Sequence, residues 1–284
     1  MSRRAIAGRT LAQGAAAFLS KDIVTGGLDY FDYQRRVAQD VLLPWLAERM
    51  TLRDACVADF GCHAGGMLEG LRTSEVAGLV GYELNESIVR ESPLRVDERV
   101  RVEIADLTKL NMDGRFDLVL LHDVLEHVIE PGSVLSAARR ALVPGGRLFV
   151  SFPPYWSAFG GHQHLAAGYA RAVPYVHYLP SRWFYRLARP ADNEYMSSAD
   201  SLDDLVSVRC TRLSLRSAER AFSEAGFTVA ARELFLLRPE YTVRYGVKTV
   251  RAGVVGTVPG VRELLVNGAF YLLATEPAPA PAVA

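Results

Sequence analysis

The stretch that decides the fold is Val57-Ala58-Asp59-Phe60-Gly61-Cys62-His63-Ala64-Gly65-Gly66. An apolar run ends in the acidic Asp59, a glycine-rich turn follows, and residues 67–71 (MLEGL) then show helical spacing. This order predicts a strand, a tight loop and a helix, which is how α/β folds build a nucleotide-type site. Glycine lets the backbone approach a ligand, and the first N–H groups of the helix lack intrahelical partners.

Four further segments extend this pattern of buried strands. Residues 79–84 (LVGYEL) and 100–107 (VRVEIADL) are apolar or alternating runs that each close on an acid. Phe116–His122 is another apolar run, and Leu142–Phe152 contains a Pro-Gly-Gly turn that leads into a buried strand. An ionised carboxylate only accepts hydrogen bonds and has room for two donors, so Glu83 is suited to bind both hydroxyls of a ribose.

The motifs DFGCHAGG, GYELN, IADL, FDLVLLHDVLEHV and LVPGGRLFVSFP together resemble those of the class I S-adenosylmethionine-dependent methyltransferases. The resemblance covers roughly residues 50 to 152, with a continuation at 212 to 276. It implies a doubly wound, Rossmann-like α/β fold with a seven-stranded sheet, whose last strand is antiparallel and lies beside the fifth. It also implies S-adenosylmethionine as cofactor. That molecule has no pyrophosphate, so the strict three-glycine dinucleotide pattern is not required.

The resemblance also implies cofactor roles for residues near the ends of the predicted strands. These are Asp59, Gly61 and Gly65 at the methionine end, Glu83 at the ribose, Asp106 and Leu107 at the adenine, and His122 on the sulfonium side. One position departs from the family pattern, because His63 stands where glycine is usual. A histidine there needs a permitted backbone angle, and its side chain either narrows the pocket or points away from it.

The chain divides into five predicted parts. Residues 1–50 form an N-terminal helical cap, 51–152 the cofactor-binding α/β core, 153–210 a lid insertion, 211–276 the C-terminal part of the core, and 277–284 a disordered tail. Helical spacing runs from Tyr33 to Met50, with Pro44 expected to kink or delimit the helix. A later helix over 215–225 precedes Gly226, and strands are predicted at Phe227–Leu237 and Gly268–Thr275.

The insertion is rich in aromatic residues and histidines. Between residues 153 and 185 lie nine of the 27 aromatic residues, together with His162, His164 and His177, and Gly160-Gly161 permits a sharp bend. The segment leaves the carboxyl end of the fifth strand, where α/β folds bind ligands, so we predict that it is a substrate lid. The alternative is that its aromatic residues pack into a small core of their own.

His162 and His164 are the predicted catalytic residues. Methyl transfer is an in-line displacement that depends mainly on alignment and desolvation, but a hydroxyl acceptor must also lose its proton. Histidine titrates near neutrality and suits that task. His162 is the first candidate because it directly follows the glycine bend; His177 and His122 are further alternatives, and a solvated histidine without catalytic role is the other explanation.

Metal and nucleic-acid functions are not expected. Adjacent helix positions diverge by roughly 100°, so Glu126 and His127 are not expected to share one face. Asp123, Glu126 and His127 partly resemble the acid–Glu-His set of a related metal-binding branch that methylates RNA ends, but the further histidine of that set does not follow before His162. The three cysteines show no ligand or disulfide spacing. The formal net charge is zero, with 32 basic and 32 acidic residues, which provides no electrostatic footprint for DNA or RNA.

Localisation in the cytoplasm is the expectation from the sequence. No segment approaches the roughly 18 uninterrupted apolar residues of a membrane span. Arg9, Gln13 and Lys21 interrupt the alanine-rich N-terminal stretch, so we do not expect a signal peptide.

The predicted function is methyl transfer from S-adenosylmethionine to a small-molecule acceptor, foremost a hydroxyl oxygen of a sugar or secondary metabolite. Methylation of carbon or nitrogen on a metabolite or quinone-like ring is the alternative. A non-catalytic scaffold with the same fold is the alternative of another class, suggested by His63 and opposed by the set Asp59, Glu83 and Asp106.

Overall fold

The structure is a computed structural model that describes residues 29–94, 97, 99–110, 112–189 and 198–275. The first 28 residues of the predicted cap and the predicted tail at 277–284 lie outside the described residues. Among the described residues, no helix combines the length and the apolar character that crossing a bilayer requires.

A single mixed sheet forms the centre of the molecule. Its strands are β1 (Cys56–Phe60), β2 (Gly78–Glu83), β3 (Val100–Ile104), β4 (Phe116–His122), β5 (Leu142–Phe152), β6 (Phe227–Leu237), β7 (Val250–Arg251) and β8 (Gly268–Thr275). The spatial order is β3-β2-β1-β4-β5-β8-β6-β7. Neighbours among the first five strands are parallel, and β8 is antiparallel to both β5 and β6.

The α/β class and the antiparallel last strand beside the fifth are therefore confirmed. Within the described residues the sheet has eight strands rather than the predicted seven, because β7 pairs with the outer edge of β6. This strand has only two residues, and a run that short carries no alternation from which it could be recognised.

Helices cover the sheet. Helix α1 (Tyr30–Val37) continues through a π-helical turn (Ala38–Leu42) into α2 (Leu43–Ala47). The remaining α-helices of the described residues are α3 (Gly66–Leu71), α4 (Glu86–Glu91), α5 (Pro131–Ala141), α6 (Ser181–Leu187), α7 (Ser198–Thr211), α8 (Leu215–Glu224), α9 (Glu240–Tyr245) and α10 (Val261–Leu265). Single 3₁₀ turns occupy Leu125–His127, Gln163–Leu165, Gly168–Ala172, Val176–Tyr178 and Gly253–Thr257.

The first helix begins and ends three residues earlier than the sequence pattern indicates. Asp29 caps its start, since the Asp29 carboxylate accepts a hydrogen bond of 2.7 Å from the Asp32 backbone N–H. Pro44 does not break the helix. Proline lacks the backbone N–H that would bond to the Asp40 carbonyl in an α-helix. Asp40 belongs to the π-helical turn immediately before α2.

Both faces of the sheet are buried. Along β4, Val119 and Leu121 pack into the core beneath α5 and α8, whereas Leu118 and Leu120 pack into the core beneath α1, α2 and α3. Parallel sheets covered on both faces need this run of apolar residues. The parallel strands therefore end together at one edge, where the loops that follow β1, β2 and β4 meet.

The insertion leaves this same edge after β5 and has a small core of its own, which includes Val176, Phe184 and Leu205. Some aromatic residues of the insertion, such as Phe184, therefore pack within the insertion itself, as the alternative to a substrate lid predicts. Its helix α7 also packs against the turn that follows β4. The insertion is in this way held over the carboxyl ends of the strands.

Candidate functional site

The loop between β1 and α3 follows a left-handed path that its glycines permit. Gly61 and Gly65 have φ of +78° and +89°. A Cβ on Gly61 would lie 2.7 Å from a methyl of Val124, and one on Gly65 would lie 2.8 Å from a methyl of Leu94. Both positions therefore need glycine for backbone angle and for space.

Asp59 lies beneath this loop with only 2% of its surface exposed. Its Oδ2 atom has no hydrogen-bond partner among the described residues. Burial raises the pKa of Asp59 to about 7, and the nearby His122 opposes that rise. A buried acceptor that lacks a donor fits the ammonium group at the methionine end of S-adenosylmethionine.

Glu83, the last residue of β2, joins the two neighbouring loops. Its Oε2 accepts a hydrogen bond of 2.9 Å from the His63 backbone N–H, and its Oε1 accepts one of 2.9 Å from the Asn85 N–H. Each carboxylate oxygen has a second lone pair, so this geometry holds the side chain in place and still allows it to accept two ribose hydroxyls.

Asp106 and Leu107 follow β3. Asp106 accepts hydrogen bonds from the Thr108 N–H (3.0 Å) and hydroxyl (2.6 Å) and pairs with Lys109 at 2.9 Å. The hydrogen bonds from Thr108 and then Lys109 lower the pKa of Asp106 to about 2. Leu107 packs at the margin of the core on the α5 side. Asp106 is thus an ionised acceptor that stabilises its own turn.

His63 adopts a left-handed conformation with φ of +52°. Its ring packs edge to face on Tyr30 of α1, with ring centroids 4.7 Å apart. Burial lowers the pKa of His63, so the ring is neutral near pH 7. The side chain that replaces the usual glycine thus contacts the N-terminal helix, which it helps to hold against the cofactor loop.

His122 ends β4 beside a buried ionic network. Arg238 donates hydrogen bonds to Asp123 at 2.7 Å and to Glu240 at 2.6 Å, and His122 Nε2 lies 3.6 Å from Glu240. Burial by itself would lower the pKa of His122, but the negative charges of Asp123 and Glu240 outweigh it and raise that pKa. His122 is therefore placed between Asp59 and this network.

A cavity lies between the insertion and the carboxyl edge of the sheet. Its wall includes Tyr33 from α1, His127 from the turn after β4, His162 and His164 from the insertion, and Asp204 from α7. The structure therefore brings both predicted catalytic histidines to one cavity next to the end of β4. His177 is not among the described residues that line it; its Nε2 bonds to the Tyr155 carbonyl at 2.7 Å.

His162 is held in a defined orientation. Its φ is +53°, and its Nδ1 lies 2.7 Å from Asp204 Oδ1. The preceding bend packs closely, because a Cβ on Gly161 would lie 2.2 Å from the Cβ of His177. His164 has its ring centroid 5.3 Å from that of His162, and burial lowers its pKa well below the ordinary value.

The side chains of Glu126 and His127 do not diverge as adjacent positions of an ideal helix would. In the 3₁₀ turn after β4, Glu126 Oε1 lies 3.9 Å from His127 Nε2 and also 3.9 Å from His162 Nε2. The ideal helix angle does not describe this single turn, and His162 approaches from another element. Burial, together with the charge of Asp123, raises the pKa of Glu126 well above its ordinary value.

Sequence reasoning also missed Asp204 and Ser207 on α7. The two residues lie three positions apart and therefore on the same face of that helix. Their contacts with His162 and His127 span 42 and 80 positions of sequence. The helical spacing could have placed them together, but nothing local indicated which residues they meet.

Residues 30–232 match the family described as "Methyltransferase domain", which covers more than half of the chain. The chain belongs to the S-adenosylmethionine-dependent methyltransferases. The family, the α/β fold and the cofactor predicted from the sequence are thereby confirmed. The cofactor and catalytic roles of individual residues remain predictions.

Two curated relatives are similar to the core of this family member. A ubiquinone biosynthesis O-methyltransferase from Pseudomonas paraeruginosa is 33% identical over 112 residues, which is 38% of this chain and 48% of the relative. The corresponding enzyme from Xylella fastidiosa is 33% identical over 118 residues, or 39% of this chain and 47% of that one. The chain spans about half the length of the curated relatives it matches.

Among solved structures, geranyl diphosphate C-methyltransferase from Streptomyces coelicolor superposes with a TM-score of 0.52 at 14% identity. The superposition covers 83% of this chain and 75% of that one, which was crystallised with Mg²⁺, geranyl-S-thiolodiphosphate and S-adenosyl-L-homocysteine. At this identity the likeness concerns the fold.

Proposed function

We propose that the chain transfers a methyl group from S-adenosylmethionine to a hydroxyl oxygen of a small-molecule acceptor bound in the cavity beneath the insertion. The single observation that carries this proposal is the pair of His162 and Asp204 in the cavity wall, with Nδ1 and Oδ1 only 2.7 Å apart. A neutral hydroxyl is a weaker nucleophile than a neutral amine, so it gains more from a residue that removes its proton.

The pair defines the tautomer of the ring. When Nδ1–H donates to Asp204, Nε2 carries the lone pair and can accept a proton. His162 would take the acceptor proton at Nε2 while the oxygen forms its bond to the methyl carbon and the carbon–sulfur bond breaks. Bound S-adenosylmethionine supplies the electrophilic methyl group; Asp59 would hold its methionine end and Glu83 its ribose.

The character of the cavity wall supports a hydroxylated ring as acceptor. Tyr33 and Tyr241 line it, and burial raises the pKa of Tyr33 to about 12 and that of Tyr241 further still. Both phenols therefore stay protonated and can donate hydrogen bonds beside an aromatic surface. The two curated relatives are O-methyltransferases, which also supports this acceptor atom.

The test begins with S-adenosylmethionine that carries a ¹³C-labelled methyl group, incubated with the protein and panels of hydroxylated sugars and phenols. We expect a new ¹³C resonance of a methyl bound to oxygen, together with S-adenosylhomocysteine. A methyl bound to carbon or nitrogen would support the alternative reaction instead. Binding without product over both panels would favour a non-catalytic scaffold.

The role of His162 is tested by His162→Ala. We expect kcat at saturating acceptor to fall by about 10²–10⁴, with cofactor affinity unchanged, because only proton removal is lost. The comparison variant is His164→Ala, which removes the second predicted base from the same cavity wall; burial lowers the pKa of His164 well below its ordinary value and makes it the weaker base, so we expect a smaller loss of turnover. Full activity of His162→Ala would show that His162 is not the base.

A further inference from the structure

Three buried polar atoms around the loop that follows β1 have no hydrogen-bond partner among the described residues. They are Asp59 Oδ2, Gln34 Oε1 and His63 Nδ1. Asp59 belongs to β1, Gln34 to α1, and His63 to the loop itself. Native proteins satisfy nearly all of their buried polar atoms, so three such atoms at one loop indicate a polar ligand that binds there.

Helix α1 covers this loop with one face. The ring of Tyr30 packs edge to face on the ring of His63, with centroids 4.7 Å apart. Gln34 follows Tyr30 by four positions and therefore lies on the same face of the helix. Its Cβ is so close to the loop that a Cβ on Gly66 would lie 2.7 Å from it. The side chains of Gln34 and His63 therefore border the same loop as Asp59.

The protein itself uses most of the backbone N–H groups of the loop. Four of them already donate hydrogen bonds of 2.8 to 3.2 Å: those of Gly61 and Cys62 to the Tyr82 carbonyl, that of His63 to Glu83 Oε2, and that of Gly65 to the Cys62 carbonyl. Each of these groups carries a single hydrogen and is therefore occupied. A ligand carboxylate bound at this loop consequently gains from a donor on a side chain.

The three atoms match the two charged groups at the methionine end of S-adenosylmethionine. Its ammonium group only donates hydrogen bonds, and its carboxylate only accepts them. The oxygens of ionised Asp59 and of Gln34 are acceptors and suit the ammonium group. Burial lowers the pKa of His63, so its ring is neutral near pH 7 and carries a single N–H. With that proton on Nδ1, His63 supplies the donor that the carboxylate needs.

We propose that His63 donates a hydrogen bond from Nδ1 to the carboxylate of the methionine moiety of S-adenosylmethionine. This role gives a reason for a histidine at a position with φ of +52°, where a residue with a Cβ is disfavoured. The contact with Tyr30 restrains the ring before the ligand binds, so little side-chain freedom is lost on binding. The protein should therefore select a cofactor that carries the carboxylate.

The experiment is calorimetric titration of the full chain with two probes, S-adenosylmethionine and decarboxylated S-adenosylmethionine, which lacks only the carboxylate. We expect His63→Gly to weaken binding of S-adenosylmethionine about tenfold or more and to leave the affinity for the decarboxylated probe within about twofold of the native value. Glycine adopts the left-handed conformation and keeps the N–H that Glu83 accepts, so the loop should retain its path. The titration contains no acceptor, so its outcome is independent of the proposed reaction.

The matched control is Asp59→Asn. It removes the negative charge that faces the ammonium group, and both probes carry that group, so it should weaken the binding of both. A loss restricted to S-adenosylmethionine in His63→Gly, beside a loss of both probes in Asp59→Asn, separates the carboxylate contact from general damage to the site. Circular dichroism verifies the fold of each variant.

Equal weakening of the two probes by His63→Gly, or no weakening of either, would overturn the proposal. A second measurement uses the native protein with ¹⁵N-labelled histidine in complex with S-adenosylhomocysteine, which keeps the carboxylate. The ring resonances of His63, assigned by their absence from His63→Gly, should show the proton on Nδ1 and none on Nε2. A proton on Nε2 alone would make Nδ1 an acceptor and would also overturn the proposal.

Discussion

At the scale of single residues, Asp59 shows how burial prepares a site for a charged ligand. Asp59 is the penultimate residue of β1, and this strand places its carboxyl group in the core. One of the two carboxyl oxygens has no hydrogen-bond partner among the described residues. Burial raises its pKa to about 7, so near neutrality the free protein is a mixture of protonated and ionised forms. A cationic ligand favours the ionised form, and binding should therefore release a proton.

We predict that affinity for S-adenosylmethionine rises with pH up to about 7, by at most about tenfold per pH unit, because protonated Asp59 cannot pair with the ligand ammonium. Calorimetric titration between about pH 5.5 and 7.5 measures this, below the pH at which an α-amino group itself loses its proton. Asp59→Asn should bind weakly with a flat pH profile.

The control for this prediction is Glu83→Ala. It should weaken binding at least tenfold, which is about 1.4 kcal/mol, at every pH, and should keep the slope of the native protein. A native profile independent of pH, or an equally steep profile for Asp59→Asn, would contradict the role assigned to Asp59.

At the scale of secondary-structure elements, α1 and α3 pack unusually closely. A Cβ on Gly70 of α3 would lie 2.4 Å from the Cβ of Ala38 and 2.5 Å from the Arg35 carbonyl oxygen. This contact, and that of His63 with Tyr30, hold the N-terminal helix against the loop that follows β1. The close approach of α1 to α3 thus depends on the absence of a side chain at Gly70.

Gly70→Ala should therefore destabilise the protein by about 2 kcal/mol, although alanine favours a helix by up to about 1 kcal/mol over glycine. The clash involves backbone atoms of α1, which cannot move without shifting the helix. Urea denaturation measures the change. The control is Gly132→Ala in α5, where no described atom lies within 4 Å of the added methyl and stability should stay the same or increase slightly. Equal stability of Gly70→Ala and the native protein would disprove the close contact.

At the scale of the whole molecule, the network around Arg238 joins parts of the chain that are distant in sequence. Arg238 follows β6 and pairs with Asp123 after β4 and with Glu240 at the start of α9. All three charges lie at the edge where the site is formed. The C-terminal part of the core is thereby tied to the loop that carries Glu126 and His127.

We predict that Arg238→Met lowers the free energy of unfolding by about 3 kcal/mol, because it leaves the buried carboxylate of Glu240 and the partly exposed one of Asp123 without their cation. Chemical denaturation measures this loss. Arg220→Met is the matched control: Arg220 is 75% exposed and pairs with Glu224 at 3.6 Å, so the change should stay within about 0.5 kcal/mol. If both variants unfold at the same denaturant concentration, the network does not stabilise the fold.

The sequence by itself determined the family, the cofactor and most of the sheet. The strands that contain Asp59, Glu83 and His122 could be predicted because alternation, apolar runs and glycine turns are local properties, each visible within about ten residues. The same holds for β6, β8 and the helix before Gly226. The two-residue β7 and the π-helical turn before Pro44 could not, because neither has a periodic pattern of its own.

Only the tertiary structure decided how the cavity is assembled. The sequence indicates His162 as a candidate base, but its partner Asp204 lies 42 positions away, and the ideal helix angle predicts that Glu126 and His127 face different ways although both side chains approach His162. Their meeting depends on how the insertion packs over the sheet. Contacts of this kind follow from the burial of one element against another, and side chains that meet in this way share no local sequence pattern.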